Sequence, residues 1–167
     1  MNAASPPEGL TLDLARQVLA AQPFSVLMGA RLTAFGGGEA ELEIDIRCEL
    51  RQQDGYVHGG VLAYAADNAL TFAGGSALGP AVLTGGFTIN YLRPARGRTL
   101  RAHASTVHAG RRQAICRCEL YMIADEDSGG ESPDRGTGNG ALTHCATAQG
   151  TIVSLATPAA ASGGTGS

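Results

Sequence analysis

Residues 58–78 read HGGVLAYAADNALTFAGGSAL, and this stretch decides the fold. It has few β-branched residues and carries small or apolar groups on every helical face. A helix that is apolar all round is buried on most of its sides. At 1.5 Å per residue it spans roughly 30 Å, about the width of a small domain. One charge interrupts it: between Gly59 and Leu92, Asp67 is the single ionisable acid or base apart from tyrosine.

Working outward, the segment before the helix predicts a short helix at 11–21, where Leu12, Ala15, Val18 and Leu19 recur at helical spacing and Pro23 stops the run. Phe24 to Met28 forms a second apolar patch closed by Gly29. Two strand-like runs follow, 31–35 and 40–47, joined by Gly36, Gly37 and Gly38 as a hairpin turn. In the second, Glu41, Glu43 and Asp45 alternate with Leu42, Ile44 and Ile46, the mark of a half-solvated strand. After the helix come four more strand-like runs at 82–92, 99–108, 112–123 and 141–155, with Gly110 at the turn between the second and third.

A hairpin, one long buried helix and four further strands make an α+β arrangement with the helix on one face of an antiparallel sheet. A lone helix of this length needs a curved sheet to cover it, which is the hotdog fold. One domain is expected at 10–156, within the usual domain size. Residues 1–9 read as a disordered leader, 125–139 (DEDSGGESPDRGTGN) as a flexible acidic loop, and 157–167 as a disordered tail.

Asp is seldom fully buried without a partner. Asp67 therefore either lies on a solvated stripe of the helix or is a carboxylate near a cleft, suited to act as a general base or nucleophile. The helix start offers a complementary group. The first amides of a helix lack intrahelical partners and sit at the positive end of its dipole. At His58-Gly59-Gly60 the glycines let a ligand approach those N–H groups, and such donors suit a carbonyl that gains negative charge. Eight residues part Gly59 from Asp67, about 12 Å along the axis, so one helix cannot bring both onto the same small atom. If the two act together, the carboxylate comes from a second copy, and the site lies at a dimer interface.

Gly55-x-x-His58-Gly59-Gly60, followed by Ala66-Asp67-Asn68-Ala69 and by Ile89-Asn90-Tyr91-Leu92-Arg93-Pro94-Ala95, closely resembles the PaaI-like hotdog thioesterases over about residues 22–155. The resemblance implies hydrolysis of acyl-CoA thioesters without a metal or cofactor, coenzyme A being part of the substrate. It implies that Asp67 attacks the thioester or activates water, that the Gly59 amide polarises the carbonyl, and that His58 helps hold the loop. It also implies that Gln52 lies beside the reacting water or carbonyl, and that Thr84 or Thr71 orients the water. Gly60 and Asn68 join the substrate contacts, while Tyr64, Phe72 and Leu70 are expected to line an apolar acyl pocket. Asn68 directly after the Asp departs from the phenylacetate-pathway pattern and leaves acyl specificity open. At least a homodimer is expected, and the resemblance implies a homotetramer.

Charge placement adds to this reading. The chain has 12 basic residues, all Arg, and a net charge of −3, which argues against nucleic acid as the general partner. No acid occurs from Asn68 through Cys118, yet Arg93, Arg96, Arg98, Arg101, Arg111, Arg112 and Arg117 fall within that stretch. These are either solvated strand ends or a patch for a polyanion such as coenzyme A, with Arg93, Arg96, Arg111 and Arg112 the first candidates. The patch lacks the interleaved aromatics that stack nucleic-acid bases.

Four scattered Cys read as reduced thiols, mostly buried, in a cytoplasmic protein. His103 and His108 with Cys116 and Cys118 match no zinc spacing, so no metal is expected. No run reaches the length of a membrane span, residues 1–9 lack the features of a secretory leader, and no Ser sits in a G-x-S-x-G elbow. Two rivals remain: a hotdog enoyl-CoA hydratase or dehydratase using His58 as the main proton carrier, and a non-catalytic acyl-CoA-binding protein.

Overall fold

The long apolar run forms helix α3, Gly59–Leu78, in a computed structural model that describes residues 9–124 and 142–155. The leader up to residue 8, the acidic loop 125–139 and the tail 157–167 lie outside the described residues. His58 caps α3 in an extended conformation, its Nδ1 accepting the Gly60 N–H at 2.9 Å. Before it come α1 (Leu12–Ala20), α2 (Pro23–Met28), β1 (Ala30–Gly36), β2 (Glu39–Asp45) and a short 3-10 turn at Cys48–Leu50. After it come β3 (Val82–Tyr91), β4 (Thr99–Ala109), β5 (Gln113–Ile123) and β6 (Leu142–Ser154). The apolar patch at residues 24–28 is thus a helix, α2, with Pro23 in its first turn and Gly29 as its left-handed cap at φ 70°. Pro23 serves twice, since the residue that ends one helix has the fixed φ suited to starting the next.

All six strands are antiparallel neighbours in the order β1-β2-β4-β5-β6-β3. The strand leaving α3 therefore crosses to the far edge and pairs with the last strand. The inward faces of the central strands are small or medium: Ala40, Leu42 and Ile44 on β2, Ala102 and Ala104 on β4, Ala114, Cys116 and Cys118 on β5, all fully buried. Facing them, α3 presents Ala65, Ala66, Ala69, Leu70 and Ala73, also fully buried. At Gly74 the approach is closest, because a Cβ there would stand 2.6 Å from Ile152 Cβ.

The two edges differ. Helix α1 packs along β1, and Arg16 Nε donates to Leu32 O at 3.0 Å. Among the described residues, strand β3 has a partner on one side only, and Leu83, Thr88, Asn90 and Tyr91 are exposed on it. The α3 face toward that open edge is correspondingly less covered. Gly60, Ala63, Tyr64, Asp67, Asn68 and Thr71 form a stripe at three- and four-residue spacing, half-buried or exposed, whereas the rest of the first three turns is mostly buried. The two sequence readings of Asp67, solvated stripe and cleft carboxylate, therefore describe one place.

Candidate active site

Asp67 sits midway along α3 on the open stripe and reaches the start of β3. Thr84 Oγ1 donates to Asp67 Oδ1 at 2.6 Å. Thr71, one helical turn on, donates to the Asp67 backbone carbonyl at 2.8 Å, and its Oγ1 lies 2.7 Å from Thr84 Oγ1. Both hydroxyls expected near the carboxylate thus belong to a single chain of contacts. The other carboxylate oxygen of Asp67 has no hydrogen-bond partner among the described residues. Asp67, Asn68, Thr71, Phe72 and Thr84 line a cavity of about 420 Å³, whose floor holds Phe35 and Phe72 edge to face with centroids 6.1 Å apart.

Tyr64 lies on the opposite side of Asp67. It lines a shallower cleft of about 340 Å³ with Phe24, Ser25 and Phe87, and its ring meets Phe24 edge to face at 5.3 Å. Burial raises the Tyr64 phenol above its ordinary range; Ser25 opposes this and the Asp67 charge adds to it. Tyr64 and Phe72 therefore flank the carboxylate rather than sharing one cavity. Leu70, expected beside them, is fully buried against the sheet and lines neither cavity.

The helix start is built separately. Gly60 N–H is taken by His58, while Gly59 N–H has no partner among the described residues. Gly59 O accepts from Tyr91 Oη at 3.0 Å, and a Cβ on Gly59 would stand 3.4 Å from that oxygen. Gln52, Gly59, Tyr91 and Arg93 line a cavity of about 450 Å³ that shares no residue with the two around Asp67. Gln52 is fixed by its backbone, which donates to Tyr56 O at 2.8 Å and accepts from Gly55 N at 3.0 Å. Tyr91 was not singled out from sequence, although it lies inside the 89–95 motif; its role appears only when the end of β3 is seen beside the start of α3.

Within one chain the arginines of the acid-free stretch fall into separate groups. Arg93 and Arg96 precede β4 while Arg111 and Arg112 follow it, and an 11-residue strand at about 3.3 Å per residue separates the pairs by roughly 35 Å. Arg101 is held by Glu43, its Nη2 at 2.7 Å from Oε1, and Arg117 lies 4.0 Å from Glu119. Arg93, Arg96, Arg111 and Arg112 make no ion pair among the described residues. Arg96 covers the Tyr56 ring, its Cζ 4.2 Å from the centroid, on the same side of the molecule as Gly59.

Comparison with known proteins agrees with this architecture. Residues 54–127 match the family model for the thioesterase superfamily. A thioesterase family protein from Silicibacter pomeroyi is 29% identical with a TM-score of 0.71, over 84% of this chain and 94% of that one. A point variant of the phenylacetic acid degradation protein PaaI from Thermus thermophilus is 25% identical with a TM-score of 0.62, over 80% of this chain and 100% of that one. The PaaI protein from the E. coli phenylacetic acid degradation operon is 20% identical, TM-score 0.68, over 85% and 91% of the two chains, a likeness of fold alone. No curated protein sequence matches the chain. By its central segment and its fold, the chain is similar to the PaaI-like hotdog thioesterases, and thioester hydrolysis is the general chemistry this supports.

Proposed function

We propose that the protein hydrolyses acyl-CoA thioesters at a site shared by two copies of the chain. One observation carries the reading: Asp67 is gripped by Thr84 in the lining of an apolar cavity, while the Gly59 N–H, without a partner among the described residues, lines a different cavity more than two helical turns away. Strand β3 links the two halves. Near its start Thr84 holds Asp67, and at its end Tyr91 holds Gly59. Because no described residue covers the β3 edge, a second copy can pair with it antiparallel about a two-fold axis near Phe87 and Thr88. That pairing sets the Thr84 end of one strand beside the Tyr91 end of the other, and so brings each Asp67 toward the other copy's Gly59. Two such dimers would make the homotetramer that the resemblance implies.

In this site Asp67 takes a proton from water as the hydroxide attacks the thioester carbon. The oxyanion that forms is met by the Gly59 N–H of the second copy. Collapse breaks the C–S bond, and the proton on Asp67 passes to the thiolate, giving free acid and coenzyme A. Direct attack by Asp67 would instead break the C–S bond and expel the coenzyme A thiolate, leaving a mixed anhydride that water opens to the free acid and the Asp67 carboxylate. Gln52 and Arg93, beside the same Gly59, would face the carbonyl and the nucleotide portion, with Arg96 near them. Arg111 and Arg112 lie toward the Asp67 end of the sheet, since Ser154 N bonds Arg112 O and pairs with Val82 at the start of β3. The reaction requires no metal and no cofactor. Four free cysteines, three of them buried, fit the reducing cytoplasm.

Thiol release from a panel of acyl-CoAs tests the reading. The wild type should turn over at least one apolar acyl-CoA, and Asp67→Asn should lose about 10²–10⁴ in rate. Full activity in Asp67→Asn would refute the role of the carboxylate. Survival of that variant with loss in His58→Ala would favour the hydratase alternative; against it, the His58 Nδ1 is already occupied in capping α3. Binding without turnover of any acyl-CoA would favour the non-catalytic alternative.

A further inference from the structure

Helix α1 lies outside the matched thioesterase segment, residues 54–127, and yet forms one wall of the Asp67 cavity. Its inner side is conventional, with Ala15 and Leu19 buried. Its other side is not. Leu14 and Val18, one turn apart, line the 420 Å³ cavity together with Leu10 just before the helix and Gln22 just after it, and they keep 41% and 47% of their surface exposed. Apolar side chains recurring at i+4 on a helix normally mark a packed seam. Here the seam meets open space, whose far side is Phe72, Gly75 and Val82. Along α3 the cavity runs from Asp67 to Gly75, about 12 Å, which is far longer than an acetyl group requires. Its hydrogen-bonding side chains, Asp67, Asn68, Thr71 and Thr84 with Gln22 at the rim, gather where the thioester would sit.

Resting on the acyl-CoA reading above, we infer that α1 is the specificity wall of the site: Leu14 and Val18 cover a medium-length apolar acyl chain that runs from Asp67 toward Gly75. The chain fills the gap between the α1 seam and Phe72, and its burial there supplies the selectivity. Each methylene removed from water contributes about 0.8 kcal/mol, close to fourfold in binding. An acyl group with a terminal charge should be a poor substrate, because the far end of the cavity offers no charged partner for it among the described residues.

The experiment has two arms. In the first, kcat and KM are measured on acetyl-, butyryl-, hexanoyl-, octanoyl- and decanoyl-CoA for the wild type, Leu14→Trp, Val18→Trp and Leu14→Ala. Wild-type kcat/KM should climb along the series. The two Trp variants, which fill the cavity, should lose at least tenfold on octanoyl- and decanoyl-CoA, mainly through KM, while acetyl- and butyryl-CoA change less than threefold. Leu14→Ala should raise KM on the long substrates without touching the short ones. A uniform change at every length, or an unchanged profile, would overturn the inference while leaving Asp67-dependent hydrolysis intact.

The second arm reads occupancy without turnover. The chain contains no Trp, so Leu10→Trp in an Asp67→Asn background places a single indole at the cavity rim. Decanoyl-CoA should shift its emission saturably and acetyl-CoA should not. Equal responses, or none to decanoyl-CoA, would contradict the inference. A wild type inactive on every thioester, with the indole still responding to decanoyl-CoA, would instead sink the hydrolase reading and leave α1 as an acyl-binding wall.

Discussion

At Asp67, two hydroxyl protons serve three contacts when the carboxylate is ionised. Thr84 gives its proton to the charge, because charge-assisted hydrogen bonds are the stronger ones. Thr71 then divides its proton between the α3 carbonyl and Thr84 Oγ1. The geometry makes Thr84 the residue that orients the carboxylate and Thr71 the one that orients Thr84. Thr84→Val should therefore lower kcat by roughly ten- to a hundredfold, the equivalent of one hydrogen bond to a charge at about 1.5–3 kcal/mol. Thr84→Ser should recover most of it, and Thr71→Val should cost less than Thr84→Val. Steady-state kinetics on one acyl-CoA, with the melting temperature as a control for folding, decides the order; a larger loss in Thr71→Val would reverse these roles. Asp67 itself was legible in the sequence as a lone charge in an apolar helix. The resemblance singled out Thr71 and Thr84 as residues that orient water, and nothing in their spacing tells that Thr84 is the one whose hydroxyl meets the carboxylate.

Among the elements, α3 was readable because its apolar, small-residue pattern is long and unbroken, and the strands because apolar alternation and glycine turns bound them. Helix α2 was not, since six residues are too few to show a period. The crossing of β3 to the far edge was not readable either: it is set by which strands meet across the sheet, and local pattern carries no record of that. Nor does the arginine run show its spacing within one chain, where the residues on either side of β4 stand at opposite ends of a strand. The close approach of α3 to the sheet gives a direct test of packing. Gly74→Val places its branched side chain into Ile152, and overpacking of this kind costs about 1–3 kcal/mol. A denaturant midpoint lowered at constant slope is expected; an unchanged midpoint would mean that α3 does not lie this close to β6.

On the scale of the whole molecule, the thiols report how the core is closed. Cys116, Cys118 and Cys145 are fully buried, whereas Cys48 is exposed. Burial raises the Cys116 and Cys118 thiols and pushes Cys145 up to about 11. A thiol reagent at neutral pH should therefore modify one Cys per native chain quickly and the other three only on unfolding. The sign of the linkage follows: above the ordinary thiol value of 9.0 the unfolded chain loses protons that the folded chain keeps, so stability falls as pH rises past that point. Urea midpoints between neutral pH and the alkaline range measure this slope, and a rising slope would contradict it.

The central claim is that one site needs two chains, and mixing two inactive variants tests it most directly. Asp67→Asn removes the carboxylate. Gly59→Pro removes the amide proton at the first helical position, where Pro is tolerated, and His58 already has the extended conformation at φ −62° and ψ 135° that a residue before Pro prefers. Each variant alone should be nearly inactive. Unfolded together in equal amounts and refolded, they should recover about a quarter of wild-type activity, since half of randomly formed dimers are mixed and each mixed dimer holds one intact site of two. A mixture no more active than its components, while mixed dimers are shown to form, would place Asp67 and Gly59 in separate roles and contradict the shared site.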